Sequence, residues 1–145
     1  GAETVIDAYC GTGTIGLVAA RRGAARVIGV DSVPSAIRDA ANNARHNGVE
    51  NAEFVTQDAT AFMKELAASE ERPQPLVLLM DPPRAGSTPE FLEAATSLAP
   101  ERIVYISCNP APAGGKRLRG ARHPSRGHVP PHRPCGTHCD AGEEK

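Results

Sequence analysis

Apolar positions follow two rhythms from the start of the chain to Pro110: short runs rich in branched aliphatics, and longer stretches where apolar residues recur at helical spacing. The runs TVIDA (Thr4–Ala8), RVIGVD (Arg26–Asp31), AEFVTQD (Ala52–Asp58), PLVLLMD (Pro75–Asp81) and RIVYIS (Arg102–Ser107) predict five strands. Thr14–Arg22, Pro34–Asn47, Ala59–Ala68 and Pro89–Leu98 predict the helices between them. Gly23 closes the first helix, and Pro34 and Gly48 mark the start and stop of the second. Such alternation predicts an α/β fold with a parallel sheet covered on both faces. From Pro112 the rhythm ceases: the only large aliphatics are Leu118 and Val129, with no Phe, Tyr or Trp. Residues 1–111 are therefore expected to form one domain, and 112–145 a disordered tail without a core.

Composition adds a charge asymmetry. Of the 145 residues, 40% are hydrophobic, enough for one domain with a core. Gly1–Pro110 carries a net charge of −5 and Ala111–Lys145 one of +4. An acidic domain is a poor electrostatic partner for phosphate backbones, so nucleic-acid affinity is expected to come largely from elsewhere. No run approaches the length of a membrane span and no signal peptide precedes the first strand, so a cytoplasmic protein away from membranes is the expectation. The irregular spacing of the four cysteines predicts thiols in a reducing compartment.

Candidate chemistry gathers at the carboxyl ends of the strands, where open α/β sheets bind ligands. Asp31, Asp58 and Asp81 close three strands and Asp7 lies in the first. The turn DAYCGTGTIG (Asp7–Gly16) holds a G-x-G-x-x-G string at Gly11, Gly13 and Gly16 that lets backbone approach a ligand, a feature shared with dinucleotide-binding folds. Asp31 suits a ribose diol in either setting. Asp7 either caps the turn or faces the ligand; Cys10 reads as packing, and Asn42, Asn43 and Asn47 as a solvated helix face. Asp81-Pro-Pro-Arg84 discriminates further, because nicotinamide enzymes have no stock need for it, whereas it matches the D/N-P-P motifs with which S-adenosylmethionine-dependent methyltransferases hold a planar base. Arg84 either faces that base or pairs with an acidic neighbour.

With these motifs in place the chain resembles the RNA uridine C5-methyltransferases, which make 5-methyluridine in tRNA or 23S rRNA. The matching pieces are DAYCGTGTIGL (Asp7–Leu17), GVD (Gly29–Asp31), A-x-x-N-A-x-x-N-G-x-x-N (Ala40–Asn51), DPPRAG (Asp81–Gly86) and YISCNPA (Tyr105–Ala111). The resemblance implies a Rossmann-like class I methyltransferase domain, truncated or garbled after the fifth strand, with S-adenosyl-L-methionine as cofactor and structured RNA as partner. It implies Cys108 as nucleophile, adding to C6 of the uracil ring, although a cysteine at a strand end is otherwise a small buried hydrophobe. It also implies Tyr9, Gly11, Gly13, Thr14, Asp31 and Asp58 in the cofactor site, Asp58 toward the adenine, and Asp81 orienting cofactor or ring. Where Asp31 stands the family more often has Glu.

Departures from the family are expected at both ends. The sequence holds no counterpart of the upstream RNA-binding barrel and central domain. Downstream it lacks F-P-x-T-x-H-x-E, whose glutamate is the family's general base. One choice of codons for Gly127–Lys145, read one nucleotide later, gives DMFPHTDHVEHIVTLEKK, with that glutamate falling across the codons of Gly136 and Thr137. The tail is therefore expected to be an out-of-frame translation. The cluster His132, Cys135, His138 and Cys139 is too cramped for zinc, so no metal is expected. A non-catalytic cofactor-binding remnant of the family is the alternative, with a nicotinamide dehydrogenase ranked last.

Overall fold

The computed structural model describes residues 2–106. Its strands are β1 (Thr4–Ala8), β2 (Arg26–Asp31), β3 (Ala52–Thr56), β4 (Leu76–Met80) and β5 (Arg102–Tyr105). Between them run α1 (Thr14–Arg21), α2 (Pro34–His46), α3 (Ala59–Ala68) and α4 (Pro89–Ser97). All strand pairings are parallel, in the order β3-β2-β1-β4-β5. The chain steps outward from β1 to β3, then crosses back to place β4 on the other flank of β1. The order therefore reverses between β1 and β4, the place where open α/β sheets form their ligand crevice at the carboxyl ends.

Alternation along β1 assigns its side chains to two cores. Ile6 and Ala8 join Leu76, Leu78 and Met80 beneath α3 and α4, around Met63, Phe91 and Leu98. Val5 joins Val27 and Leu79 beneath α1 and α2, around Leu17, Ala20 and Ala44. Asp7 shares the face of Val5, so a carboxylate lies among apolar side chains under α1.

The helix ends show why the predicted boundaries came within a residue or so. Gly48 takes φ 62° just past α2; its amide bonds the Arg45 carbonyl (3.2 Å), and the Val49 amide reaches back to Ala44 (2.9 Å). That reciprocal closure needs a residue at ease in the left-handed region, and it drops Val49 into the core. The predicted strand ends ran slightly long. β3 stops at Thr56 because Asp58 turns away to accept the Ala61 amide as the cap of α3 (2.9 Å). β4 spans Leu76–Met80, so Pro75 and Asp81 flank it rather than belong to it. β5 ends at Tyr105, although the Ile106 amide still bonds the Met80 carbonyl (2.9 Å).

Among the described residues β5 pairs only with β4, and Ile103, Val104 and Tyr105 are all exposed. An apolar hollow of about 340 Å³ lies between β5 and α4, lined by Met80, Leu92, Ala95, Ile103 and Tyr105. No helix of the described residues is long and apolar enough to cross a membrane. The expected boundary at 111, the tail 112–145, its shifted frame and its His/Cys cluster all lie outside the described residues.

Candidate active site

The turn after β1 is fixed from several sides. Tyr9 has φ 64°, a conformation that costs a residue with a Cβ roughly 1–2 kcal/mol. Two contacts hold it there: the next amide, of Cys10, bonds the Val30 carbonyl at 3.0 Å, and the Tyr9 ring leans on Phe91 with centroids 5.5 Å apart. Tyr9 is thus placed at the crevice by its backbone while its ring faces α4. The Gly13 amide then donates to the Cys10 carbonyl at 2.8 Å, closing the turn.

Gly13 has φ 79°, and a Cβ added there would stand 2.8 Å from the Phe54 ring and 3.0 Å from Ala40. A second close approach occurs at Gly29, where a Cβ would lie 2.5 Å from the same ring and 3.1 Å from the Cys10 sulfur. One aromatic side chain of β3 therefore fills the space that two missing side chains leave. In front of Gly11 the space is open. Gly13 caps α1 without a side-chain acceptor of its own; of the first-turn amides Asp7 takes that of Gly16, which leaves those of Thr14 and Ile15 without a side-chain partner among the described residues.

Aspartates close the rim. Asp31 accepts the Gly11 amide on Oδ2 and the Val33 amide on Oδ1, each at 2.9 Å. Its further lone pairs can take ribose hydroxyls. Asp58 spends one oxygen capping α3 and holds the other at the end of β3. Asp81 follows β4, its amide 3.4 Å from the Ala8 carbonyl, and the Pro82–Gly86 loop is closed by the Gly86 amide on the Pro83 carbonyl (2.8 Å). Arg84 is exposed and forms no ion pair among the described residues.

Asp7 caps the turn, one of the two roles open to it from sequence: its Oδ2 accepts the Gly16 amide at 2.8 Å with the residue only 1% exposed. Burial pushes its carboxyl up to about 6; the Gly16 amide opposes this, and the nearby Asp81 and Asp31 add to it. Burial, with Asp7 and Asp31 adding to it, pushes the Cys10 thiol up to about 12, so it stays neutral and packs, as its sequence setting suggests. Cys108 lies outside the described residues.

Asn42 and Asn43 on α2 and Asn47 at its C-cap are exposed, as expected from sequence, with one addition. Asn43 is not merely part of a solvated face: its Nδ2 donates to the Thr12 carbonyl at 3.1 Å, across thirty-one positions of sequence. Asn47 Nδ2 donates to the Asn43 carbonyl at 2.8 Å, and Asn51 Nδ2 reaches the Ala24 carbonyl at 2.8 Å and Ala20 at 3.3 Å. Phe54 was also missed. A regular four-residue recurrence of Asn at 43, 47 and 51 was the available signal; for Phe54 there was none, since a strand aromatic is ordinary.

Residues 1–109 match the family model described as a methyltransferase domain. Proteins named as uncharacterized RNA methyltransferases are similar to this chain in Lactiplantibacillus plantarum (48% identical over 111 residues, 77% of this chain and 24% of the relative) and Chlorobaculum tepidum (46% over 108 residues, 74% and 22%). The chain thus spans about a quarter of the length of the curated relatives it matches. Among solved structures it is similar to the Pyrococcus abyssi tRNA (uracil-54, C5)-methyltransferase in complex with S-adenosyl-L-homocysteine, at TM-score 0.63 and 35% identity over 76% of this chain and 26% of that one. An Agrobacterium tumefaciens SAM-dependent methyltransferase superposes at TM-score 0.58, with 25% identity over 68% and 35% of the two chains. The residues present fit S-adenosylmethionine: open backbone at Gly11, the Thr14 and Ile15 amides at the start of α1, and carboxylates at the ends of β2 and β3. Fold, rim and matched residues together show that this chain belongs to the methyltransferase-domain family, and within it the chain is similar to proteins named as RNA methyltransferases.

Proposed function

We propose that the protein to which this chain belongs methylates C5 of a uridine in structured RNA, ribosomal or transfer, with Cys108 as nucleophile. The observation that carries the reading is the placement of Asp81-Pro-Pro-Arg84. This loop leaves β4 at the point where strand order reverses, beside the turn after β1, so a planar base held by it meets the cofactor rim. Connectivity supports the role of Cys108. The Ile106 amide is bonded to the Met80 carbonyl at that same rim, and Cys108 follows Ile106 by two positions in the sequence. The tRNA uracil-C5 methyltransferase among the similar structures supports the substrate class.

Bound S-adenosylmethionine supplies an electrophilic methyl group. Uracil C5 is by itself a weak carbon nucleophile. Addition of the Cys108 thiolate at C6 forms a C–S bond and moves the ring electrons onto C5 and O4, which makes C5 reactive. Once C5 has gained the methyl group, a base removes its proton, the C5–C6 double bond returns and the C–S bond breaks. Asp81 orients cofactor or ring. Tyr9, Gly11, Gly13 and Thr14 present the turn to the cofactor, Asp31 accepts ribose hydroxyls and Asp58 faces the adenine. Cys10, held neutral, is not the nucleophile. The base is the glutamate recovered one frame over at Gly136 and Thr137; nucleotide sequencing tests this, and the idea fails if no single-base shift between Asn109 and Arg126 restores it.

Full-length, frame-corrected protein incubated with cofactor and 5-fluorouridine RNA should form a covalent RNA–protein adduct, because fluorine at C5 blocks proton removal. The adduct should vanish in C108A. Lack of any Cys108-dependent adduct overturns the mechanism. The alternative reading is a non-catalytic remnant of the family that binds cofactor without transferring methyl. Calorimetric titration beside a tritiated-methyl transfer assay separates the two, binding without incorporation selecting the second.

A further inference from the structure

We infer that Asn43 is a positioning residue for the cofactor-binding turn, acting from α2 through the Thr12 carbonyl. Of the asparagines at 43, 47 and 51, the first and last fasten the two ends of α1 to the α2–β3 unit, and the middle one bonds back into α2. Asn43 takes the entrance of α1, through Thr12. Asn51 takes its exit, through Ala20 and Ala24. Asn47 secures the last turn of α2 by donating to the Asn43 carbonyl. Of the three, only Asn43 touches the glycine turn.

Its contact bears on cofactor geometry for a covalent reason. The Thr12 carbonyl and the Gly13 amide belong to one planar peptide unit, so fixing one end fixes the direction of the other. That unit is held at both ends: Gly13 donates to the Cys10 carbonyl at 2.8 Å, and Thr12 accepts from Asn43 at 3.1 Å. The flanking glycines provide little resistance to reorientation, with φ of 53° at Gly11 and 79° at Gly13. Ala40, one helical turn before Asn43 on the same side of α2, meets the position where a Gly13 Cβ would stand, so α2 supports the turn by contact and by hydrogen bond together. Thr12 and Asn43 are both exposed, so the bond adds little to overall stability. Its effect falls on the ordering of the turn that the cofactor would otherwise have to impose on binding.

Affinity for S-adenosylhomocysteine, measured by calorimetry on the 145-residue chain beside its thermal midpoint, tests this. N43D is nearly isosteric but lacks the donor. It and N43A should bind about three- to tenfold more weakly, the range one neutral hydrogen bond supplies, with the midpoint unchanged within about two degrees. N43Q, which keeps the donor, should recover part of the affinity. N51A should lower the midpoint while leaving the affinity of the folded protein as it was. Wild-type affinity in N43D overturns the inference, as does a loss in N43A that merely tracks its midpoint in the manner of N51A. No binding by the wild type overturns it together with the cofactor assignment.

Discussion

Replacing Asp7 with Asn isolates the cost of ionising a carboxylate under α1. The native carboxyl titrates near 6 against an ordinary value of 3.8, so the folded protein holds a proton that the unfolded chain has released across that interval. A raised carboxylate contributes stability below the unfolded value and loses it as pH climbs through the folded one. The shift corresponds to about 3 kcal/mol between the two limits at 1.36 kcal/mol per unit. Asn keeps an oxygen for the Gly16 amide and cannot ionise. Burying its amide nitrogen costs a roughly constant 1–3 kcal/mol if unpartnered, and that cost cancels when the same pair of proteins is compared at two pH values. From about pH 4.5 to about pH 8, the stability of D7N relative to wild type should rise by about 2 kcal/mol, the part of the shift that this window spans. Urea unfolding followed by circular dichroism at both pH values measures it. An equal difference at the two, or one that shrinks toward high pH, refutes the reasoning, because Asp7 would then be ionised in the fold without penalty.

Two further outcomes follow from the packing. G29A should destabilise by about 1–3 kcal/mol, since its Cβ would press on the Phe54 ring at 2.5 Å; adding F54L should return part of the loss, and a strictly additive double mutant in urea unfolding would contradict a shared contact. V104K should reduce self-association measured by light scattering, because it places a charge on β5, where Val104 is 36% and Tyr105 58% exposed; unchanged scattering would show that this edge is not the sticky surface.

The strands and helices were legible because each apolar run matched its element and each stop had a local chemical cause, as at Gly48. The strand ends were less so, because Asp58 belongs to the helix it caps rather than to the strand it follows. The rim aspartates were readable from a general rule about carboxyl ends. What each carboxylate touches was not, since the Gly11–Asp31 and Gly16–Asp7 contacts depend on how the turn folds back. The bond from Asn43 to Thr12 was beyond the one-dimensional pattern for the same reason: a polar residue on an exposed helix face looks alike whether its partner is water or a carbonyl thirty-one residues away. The sheet order, which makes the crevice, emerges only when β4 pairs with β1.

Asp31 holds each of its oxygens against a backbone amide before any ligand arrives. The carboxylate is therefore already aimed, and the restriction of its rotation was imposed during folding rather than at association. A diol approaching this corner meets a fixed acceptor, and ligand capture there should proceed without a preceding side-chain rearrangement.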